Sequence, residues 1–71
     1  MPSARIDEFR RAAAKLGFER SRQVGSHERW IHPDGRGVTL PVHGAQEIGD
    51  PLFHRILKQL GITLAEFQRL R

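Results

Sequence analysis

Residues 18–42 read FERSRQVGSHERWIHPDGRGVTLPV, and this stretch decides the fold. The pair Gly-Ser at 25–26 and the run Pro-Asp-Gly-Arg-Gly at 33–37 are turn signals, because glycine and proline favour the backbone angles of tight turns. The segments around these turns are short and contain the β-branched and aromatic residues that strands favour. We therefore predict three antiparallel strands, over residues 18–24, 27–32 and 38–42.

The third predicted strand alternates apolar residues with others, so one of its faces is expected to be buried. Val38, Leu40 and Val42 would share that face. Proline has no backbone N–H to donate to a strand ladder. Pro41 therefore predicts that this strand lies at an edge of the sheet or pairs only on its other side.

A helix is predicted before the strands. In residues 5–16 the apolar side chains recur at helical spacing. Ser3 is a suitable N-cap for this helix, and Gly17 is a natural stop.

A loop and a second helix are predicted after the strands. Residues 43–49 contain no periodic apolar pattern and are interpreted as the loop. The second helix is expected over residues 51–60, with Asp50 as its N-cap and Gly61 at its end.

A last short helix follows, because Thr63 and Glu66 have the spacing of a capping box. Its expected apolar anchors are Leu64, Phe67 and Leu70. The order is then helix, three antiparallel strands, helix and short helix, an α+β arrangement in which both main helices cover one face of the sheet. That α-β-β-β-α layout is the architecture of double-stranded-RNA-binding domains. The predicted core contains Phe9, Leu16, Trp30, Leu40, Ile56 and Leu60.

The turn at 25–26 also predicts which side chains face away from the helices. With a two-residue loop, His27 opposes the last residue of the first strand, and directly opposed residues point to the same face. The same register sets Trp30 against Ser21 on the other face, where the large apolar area of tryptophan suits the core. The open face is then expected to hold His27, Arg20, Arg22 and Arg29.

Composition indicates a small basic protein of one domain, residues 1–71. The chain has 12 Lys and Arg against 8 Asp and Glu, a formal charge of +4, and no cysteine for disulfides or thiolate metal sites. It has no apolar run of bilayer length and no signal peptide, so we expect a cytoplasmic protein without membrane contact. All its cations except Lys15 and Lys58 are arginines, whose planar donors match phosphate. Nucleic acid is therefore the first partner to consider, although the same excess of charge also favours solubility.

His27 is the candidate for proton transfer. RNA cleavage can use the neighbouring 2′-hydroxyl as nucleophile, which needs a group that moves protons near neutral pH and cations that stabilise charge on the phosphate. His27 beside Arg22 and Arg29 would supply both, with Arg20 and Ser26 as further RNA contacts. The second proton-transferring group is left open between Ser26, water and a substrate phosphate. Taken alone, the same residues also fit an ordinary surface histidine on a solvated basic face.

The other histidines fit structural roles. His32 and His43 flank turns, and His54 lies in the second predicted helix at the boundary with solvent. No pair of histidines has the spacing of a metal site with a carboxylate, so we expect neither a metal nor another cofactor.

The motifs of this chain, in their order, resemble those of the HicA family, also called YcfA-like. Its members are toxins of toxin–antitoxin pairs. The resemblance covers LGF at 16–18, GSHERW at 25–30, HPDG at 32–35, VTLPVH at 38–43 and ILKQLGI at 56–62. It implies a double-stranded-RNA-binding-like fold and a ribonuclease that cleaves messenger RNA without a metal. It also implies that His27 is the catalytic residue and that a HicB-type antitoxin is the partner. Gln46 stands where members often have a basic residue, and Asp50-Pro51 lies where they have Gly-Thr, so RNA contact at that edge is expected to be weaker.

Three functions therefore compete on the sequence. The first is a ribonuclease that serves as the toxin of a type II toxin–antitoxin pair. The second is a non-catalytic RNA-binding module, which would hold an A-form helix by shape with the same basic face. The third is an interaction protein that acts only through its partner. His27 separates the first from the second, since pure binding does not need it.

Overall fold

The computed structural model describes residues 2–42 and 47–71. Within them the elements are β1 (Ala4–Arg5), α1 (Ile6–Lys15), β2 (Glu19–Val24), β3 (His27–Ile31), β4 (Gly37–Pro41), β5 (Glu47–Ile48), α2 (Leu52–Leu60) and α3 (Leu64–Leu70). Strands β2, β3 and β4 form one antiparallel sheet in that order, and β1 pairs with β5 in a second, two-stranded sheet. The predicted α+β fold with a three-stranded antiparallel sheet is confirmed, whereas the β1–β5 pair was not predicted.

Helix α1 begins at Ile6, with Arg5 as its N-cap residue. The prediction that Ser3 caps this helix is wrong, because β1 keeps the chain extended until Arg5 by pairing with β5. The hydroxyl of Ser3 contacts the carboxylate of Glu47 instead. The carboxylate of Glu8 accepts a hydrogen bond from the backbone N–H of Arg5 at 3.0 Å, which stabilises the start of the helix.

Both main helices end at a glycine with positive φ, as predicted. The angle is +97° at Gly17 and +77° at Gly61. The backbone N–H of Phe18 then donates to the carbonyl of Ala13 at 2.9 Å, and Ile62 makes the equivalent bond after α2 at 3.2 Å. These bonds satisfy carbonyls of the last helical turn while the chain reverses direction.

Helix α2 begins at Leu52, and Pro51 is its N-cap residue. The prediction that Asp50 caps this helix is therefore wrong by one position. The carboxylate of Asp50 contacts the Nδ1 atom of His54, one turn into the helix. The Asp50 carboxylate, which we expected to accept a hydrogen bond from a backbone N–H of the helix, therefore contacts His54 instead.

Helix α3 begins with the predicted capping box. The hydroxyl of Thr63 accepts from the backbone N–H of Glu66 at 3.2 Å, and the carboxylate of Glu66 accepts from the backbone N–H of Thr63 at 2.9 Å. Phe67 is fully buried and Leu70 packs against the core. Leu64 is 37% exposed, so the prediction that it anchors the helix is wrong.

The core lies between the sheet and the helices. Phe9, Phe53 and Phe67, one from each helix, contact one another with ring centroids between 5.0 and 5.6 Å apart. The predicted core residues are buried except Leu16, which is partly buried and packs against the cluster. In the described ranges no helix is long and apolar enough to cross a membrane.

Candidate functional site

The turn between β2 and β3 places His27 at the first position of β3. Gly25 has a φ of +60° while the φ of Ser26 is not positive, which is the combination of a type II′ turn. Val24 pairs directly with His27, as predicted. The backbone N–H of Val42 donates to the carbonyl of Ser26 at 2.6 Å, so the end of β4 also holds the turn.

Alternating burial along β3 separates the two faces of the sheet. Glu28 and Trp30 are buried on the inner face, towards the helices, whereas His27, Arg29 and Ile31 are exposed on the outer face. The predicted positions of His27, Arg29 and Trp30 are therefore confirmed.

The strand registers arrange the outer face in three rows, each with one residue from β2, β3 and β4. The first row is Val24, His27 and Pro41; the second is Arg22, Arg29 and Thr39; the third is Glu19, Ile31 and Gly37. Along β3 adjacent rows are about 6.6 Å apart, at two residues per step. Pro41 is buried, so the first row is open to solvent over β2 and β3. As predicted, the proline lies in a strand with a partner on one side, since β4 pairs only with β3 in the described residues.

Arg29 is held across β4 by its neighbours. Its Nη1 atom donates to the hydroxyl of Thr39 at 3.0 Å. A Cβ atom at position 37 would lie 2.7 Å from the Cζ of Arg29, so Gly37 leaves the space in which the guanidinium lies. The backbone N–H of Thr39 donates to the side chain of Gln59 in α2 at 3.2 Å. The guanidinium therefore extends from the second row towards the third in a defined position.

Arg22 pairs directly with Arg29, so two cations stand opposite each other in the second row. Like charges directly opposite each other destabilise a sheet. Among the described residues neither arginine has a carboxylate partner. An anion that lies on this face can accept charge-assisted hydrogen bonds from both arginines.

Arg20 is not part of this outer face, and our prediction for its position is wrong. The register shifts between Arg20 and Arg22, so Arg20 pairs with Trp30 and lies on the inner side. Ser21 is the extra residue of this bulge, and one extra residue moves the preceding side chains to the opposite face. The Nη1 atom of Arg20 lies 3.4 Å from the carboxylate of Glu28. An RNA contact by Arg20 stays a prediction.

Glu28 is a buried carboxylate that we did not predict. It accepts hydrogen bonds from the Nε of Arg10 at 3.1 Å and from the indole N–H of Trp30 at 3.0 Å. The hydrogen bond from Arg10 lowers the pKa of this carboxyl, against the opposing effect of burial, and the bond from Trp30 lowers it further. The strand pattern contained the signal, since Glu28 precedes Trp30 by two residues and must share its buried face.

The region with this geometry matches a known family. Residues 6–62, from α1 to just beyond α2, match the family described as "HicA toxin of bacterial toxin-antitoxin". The chain belongs to the HicA toxin family. The resemblance drawn from the motifs is thereby confirmed, and all three rows of the outer face lie inside the HicA match.

One HicA relative gives a closer comparison. A protein of Pseudomonas fluorescens (strain Pf0-1) named "Probable mRNA interferase HicA" is 38% identical over 58 residues. The aligned part covers 82% of this chain and 95% of the relative. Helix α3 follows the residues of the family match, and it adds Phe67 to the core.

The other described histidines of this HicA chain, His32 and His54, do not belong to the three rows of the outer face. The Nε2 atom of His32 lies 3.1 Å from the carbonyl oxygen of Leu16, and its Nδ1 accepts from the backbone N–H of Asp34 at 3.1 Å, which is the structural role we predicted. His54 is exposed on α2, also as predicted. His43 and Gln46 lie outside the described residues. Within residues 2–42 and 47–71 no three or more His, Asp or Glu side chains are grouped to hold a metal ion.

Proposed function

We propose that this HicA chain is an endoribonuclease that cleaves messenger RNA and serves as the toxin of a type II toxin–antitoxin pair. The observation that carries the proposal is the outer face, where exposed His27 lies one row from the opposed cations Arg22 and Arg29. Family membership and the printed name of the P. fluorescens relative support the same activity.

In this proposal His27 is the general base. Its imidazole removes the proton of a ribose 2′-hydroxyl, and the 2′-oxygen then bonds to the adjacent phosphorus. The bond from phosphorus to the 5′-oxygen breaks, which leaves a 2′,3′-cyclic phosphate and a 5′-hydroxyl. The departing oxygen takes its proton from water or from the hydroxyl of Ser26, the residue next to His27 in the turn. Charge gathered on the phosphoryl oxygens is stabilised by Arg22 and Arg29.

The proposed reaction needs no metal ion. Histidine supplies the proton transfer, and arginine donors supply the charge stabilisation that a divalent cation otherwise provides. We therefore expect cleavage to persist in excess chelator. A rate that falls with chelator and recovers with added Mg²⁺ would contradict this part of the proposal.

We also infer a protein partner that covers the outer face. A free ribonuclease would degrade the messages of its own cell, so its activity needs restraint. A HicB-like antitoxin fits this role, and an acidic surface on it would complement a chain of formal charge +4. Such a partner would block His27 by occupying the rows that RNA otherwise contacts.

Replacement of His27 tests the catalytic assignment. We expect His27→Ala to lower the rate of RNA cleavage in chelator by roughly 10²- to 10⁴-fold, the range for loss of a general base. The free energy of unfolding should change by no more than about 0.5 kcal/mol, because the side chain is exposed. His54→Ala is the matched control, since it removes an exposed histidine from α2 and should cleave at the wild-type rate.

The same experiment separates cleavage from binding. If the wild type binds RNA with salt-dependent affinity but does not cut it, the chain is a non-catalytic RNA-binding module. If His27→Ala cleaves like the wild type, another residue is the base. If it fails to fold, His27 has a structural role.

A further inference from the structure

The third row of the outer face borders a cavity. The start of β2 and the end of β3 form a shallow cavity of about 330 Å³ that is largely open to solvent. Along β3 its nearest residue, Ile31, lies four residues from His27, or about 13 Å. The cavity is lined by Glu19, Arg20, Ser21, Ile31, His32 and Pro33.

The walls of this cavity combine an apolar surface with unused polar groups. Ile31 is 38% exposed, and with Pro33 it offers an apolar contact. The carboxylate of Glu19 and the hydroxyl of Ser21 have no hydrogen bond or ion pair with the side chains of other described residues. Ser21 is the bulge residue of β2, and bulges often redirect a side chain next to a functional site.

We propose that this cavity binds one unpaired nucleobase of the RNA substrate, with Glu19 accepting a hydrogen bond from the amino group of the base. The proposal rests on the proposed function, because it assigns a subsite to the same RNA-cleaving face. The cavity is shallow, so it suits one flat ring system laid against Ile31 and Pro33 rather than a larger group.

The negative charge of Glu19 favours contact with a base over contact with the RNA backbone. A carboxylate repels phosphate, so Glu19 does not suit contact with the RNA backbone. A carboxylate that reads a base accepts from an exocyclic amino group, as Glu and Asp do with the N4 amino group of cytosine. Cytosine, adenine and guanine carry such a group, whereas uracil does not. We therefore expect uracil to be the disfavoured base at this subsite.

The position of Arg29 agrees with an RNA strand that runs along β3. Its guanidinium extends from the second row over Gly37 in the third row. The cleaved phosphate, stabilised from the second row, would then lie between His27 in the first row and the base in the cavity beside the third row. The base must be unpaired to enter, because a paired base stays stacked in its helix and the deep, narrow major groove of an RNA duplex keeps side chains from its amino group. Single-stranded RNA is therefore the expected substrate class.

Cleavage of defined RNAs tests the subsite. Cleavage sites in a randomised single-stranded RNA locate the position of preference, and short RNAs that differ only at that position give kcat/KM for each base. We expect the wild type to prefer an amino-bearing base over uracil by about tenfold. Glu19→Ala should bring the four values within about twofold, as expected when the acceptor that reads the base is removed.

A control variant separates base recognition from net charge. Asp7→Ala removes one carboxylate from α1, where the side chain is 64% exposed. It raises the net charge by the same amount as Glu19→Ala and should retain the wild-type preference. If Asp7→Ala loses the preference equally, or if Glu19→Ala keeps it, the subsite proposal is overturned.

The remaining outcomes are also decisive. A wild type that cleaves in a His27-dependent manner with no base preference contradicts the subsite and leaves the proposed function intact. A wild type that does not cleave contradicts the proposed function. Binding of short RNAs of a single base type to that wild type then decides the subsite, because a preference over uracil that disappears in Glu19→Ala supports it, and no preference refutes it.

Discussion

Two groups of arginines in this molecule have the same side chain and opposite surroundings. Arg10, Arg36 and Arg71 each form an ion pair with a carboxylate and join separate parts of the fold. Arg22 and Arg29 stand opposite each other on the outer face, with no carboxylate partner among the described residues. An arginine with a carboxylate partner therefore acts as a structural link, whereas a pair without carboxylate partners leaves its charge for a ligand.

The partnered arginines connect elements that are distant in the chain. Arg36 pairs with Asp34 at 2.7 Å and donates to the carbonyl of Leu60 at 2.8 Å, which fastens the hairpin loop to the end of α2. Arg71 pairs with Glu8 at 2.6 Å and so joins the residue after α3 to α1. The guanidinium of Arg71 makes four hydrogen bonds, which leaves one of its five N–H donors for RNA, whereas that of Arg36 makes two and leaves three.

The largest expected effect on stability is the loss of the buried carboxylate. Glu28→Gln keeps the volume but removes the charge that pairs with Arg10 on the inner face. We expect it to lower the free energy of unfolding by about 3 kcal/mol, near the lower end for a broken buried ion pair, because the Arg10 side chain is 32% exposed. Urea denaturation followed by circular dichroism measures the change.

The matched control makes the same substitution on the other face. Glu19→Gln, in the exposed strand β2, should change the free energy of unfolding by no more than about 0.5 kcal/mol. If Glu28→Gln and Glu19→Gln lower the free energy of unfolding equally, burial on the inner face does not make one carboxylate more important for stability than the other.

The next effect concerns the unpartnered arginines. Arg22→Ala/Arg29→Ala is expected to weaken binding of single-stranded RNA about tenfold at low salt and to reduce the slope of log affinity against log salt by about 1.4, which is 0.7 for each of two phosphates no longer neutralised. Stability should not fall, since the change removes a like-charge pair. Filter binding across a salt series measures both the affinity and the slope.

A second double variant controls for charge alone. Arg55→Ala/Arg69→Ala removes the same charge from exposed positions of α2 and α3. It should leave the salt slope near the wild-type value. A wild-type slope in Arg22→Ala/Arg29→Ala would show that the phosphates are bound elsewhere.

The turn chemistry explains why much of this face was predictable. A two-residue turn with glycine first fixes Val24 opposite His27, and the register then holds through Arg22 and Arg29. The predicted register was wrong at Arg20, because the bulge at Ser21 has no distinct signal in the residue types. One unpredicted residue was enough to move Arg20 from the outer face to the inner face.

Partners separated by long stretches of chain were harder to predict. Glu8 and Arg71 are 63 residues apart, and no local pattern links them. Glu28 lies between two outward residues, and its parity indicated burial, but its partner Arg10 comes from α1 and depends on how the helix packs. Local periodicity therefore predicts faces, whereas packing decides which arginines are neutralised.

A smaller effect is expected from the Glu8–Arg71 pair. The hydrogen bond from Arg71 lowers the pKa of Glu8 from 4.5 to about 2. A pKa that is lower in the folded state contributes stability above about pH 4.5, and this contribution is lost as the pH falls towards 2. We expect Glu8→Gln to cost roughly 1 kcal/mol at pH 7, since both side chains are about a quarter exposed and water weakens the pair.

A pH series of melting curves tests this linkage. The difference between the wild type and Glu8→Gln should shrink as the pH falls from about 5 to about 2, because the wild-type carboxylate becomes protonated and the two proteins become alike. A difference that is constant over this range would show that the ion pair contributes nothing through its charge.

The smallest effect is expected from the loss of a single hydroxyl, that of Thr39 beside Arg29. Thr39→Val keeps a β-branched side chain in β4 but removes the oxygen that accepts from Arg29 at 3.0 Å. With the guanidinium no longer fixed, we expect RNA affinity to fall by about two- to fivefold, corresponding to under 1 kcal/mol, with melting unchanged. In an Arg29→Ala background the same substitution should have no further effect, because its only route to RNA is through that guanidinium. If Thr39→Val lowers RNA affinity equally in the wild type and in Arg29→Ala, then Thr39 contacts RNA itself and Arg29 does not need the hydroxyl to hold its position.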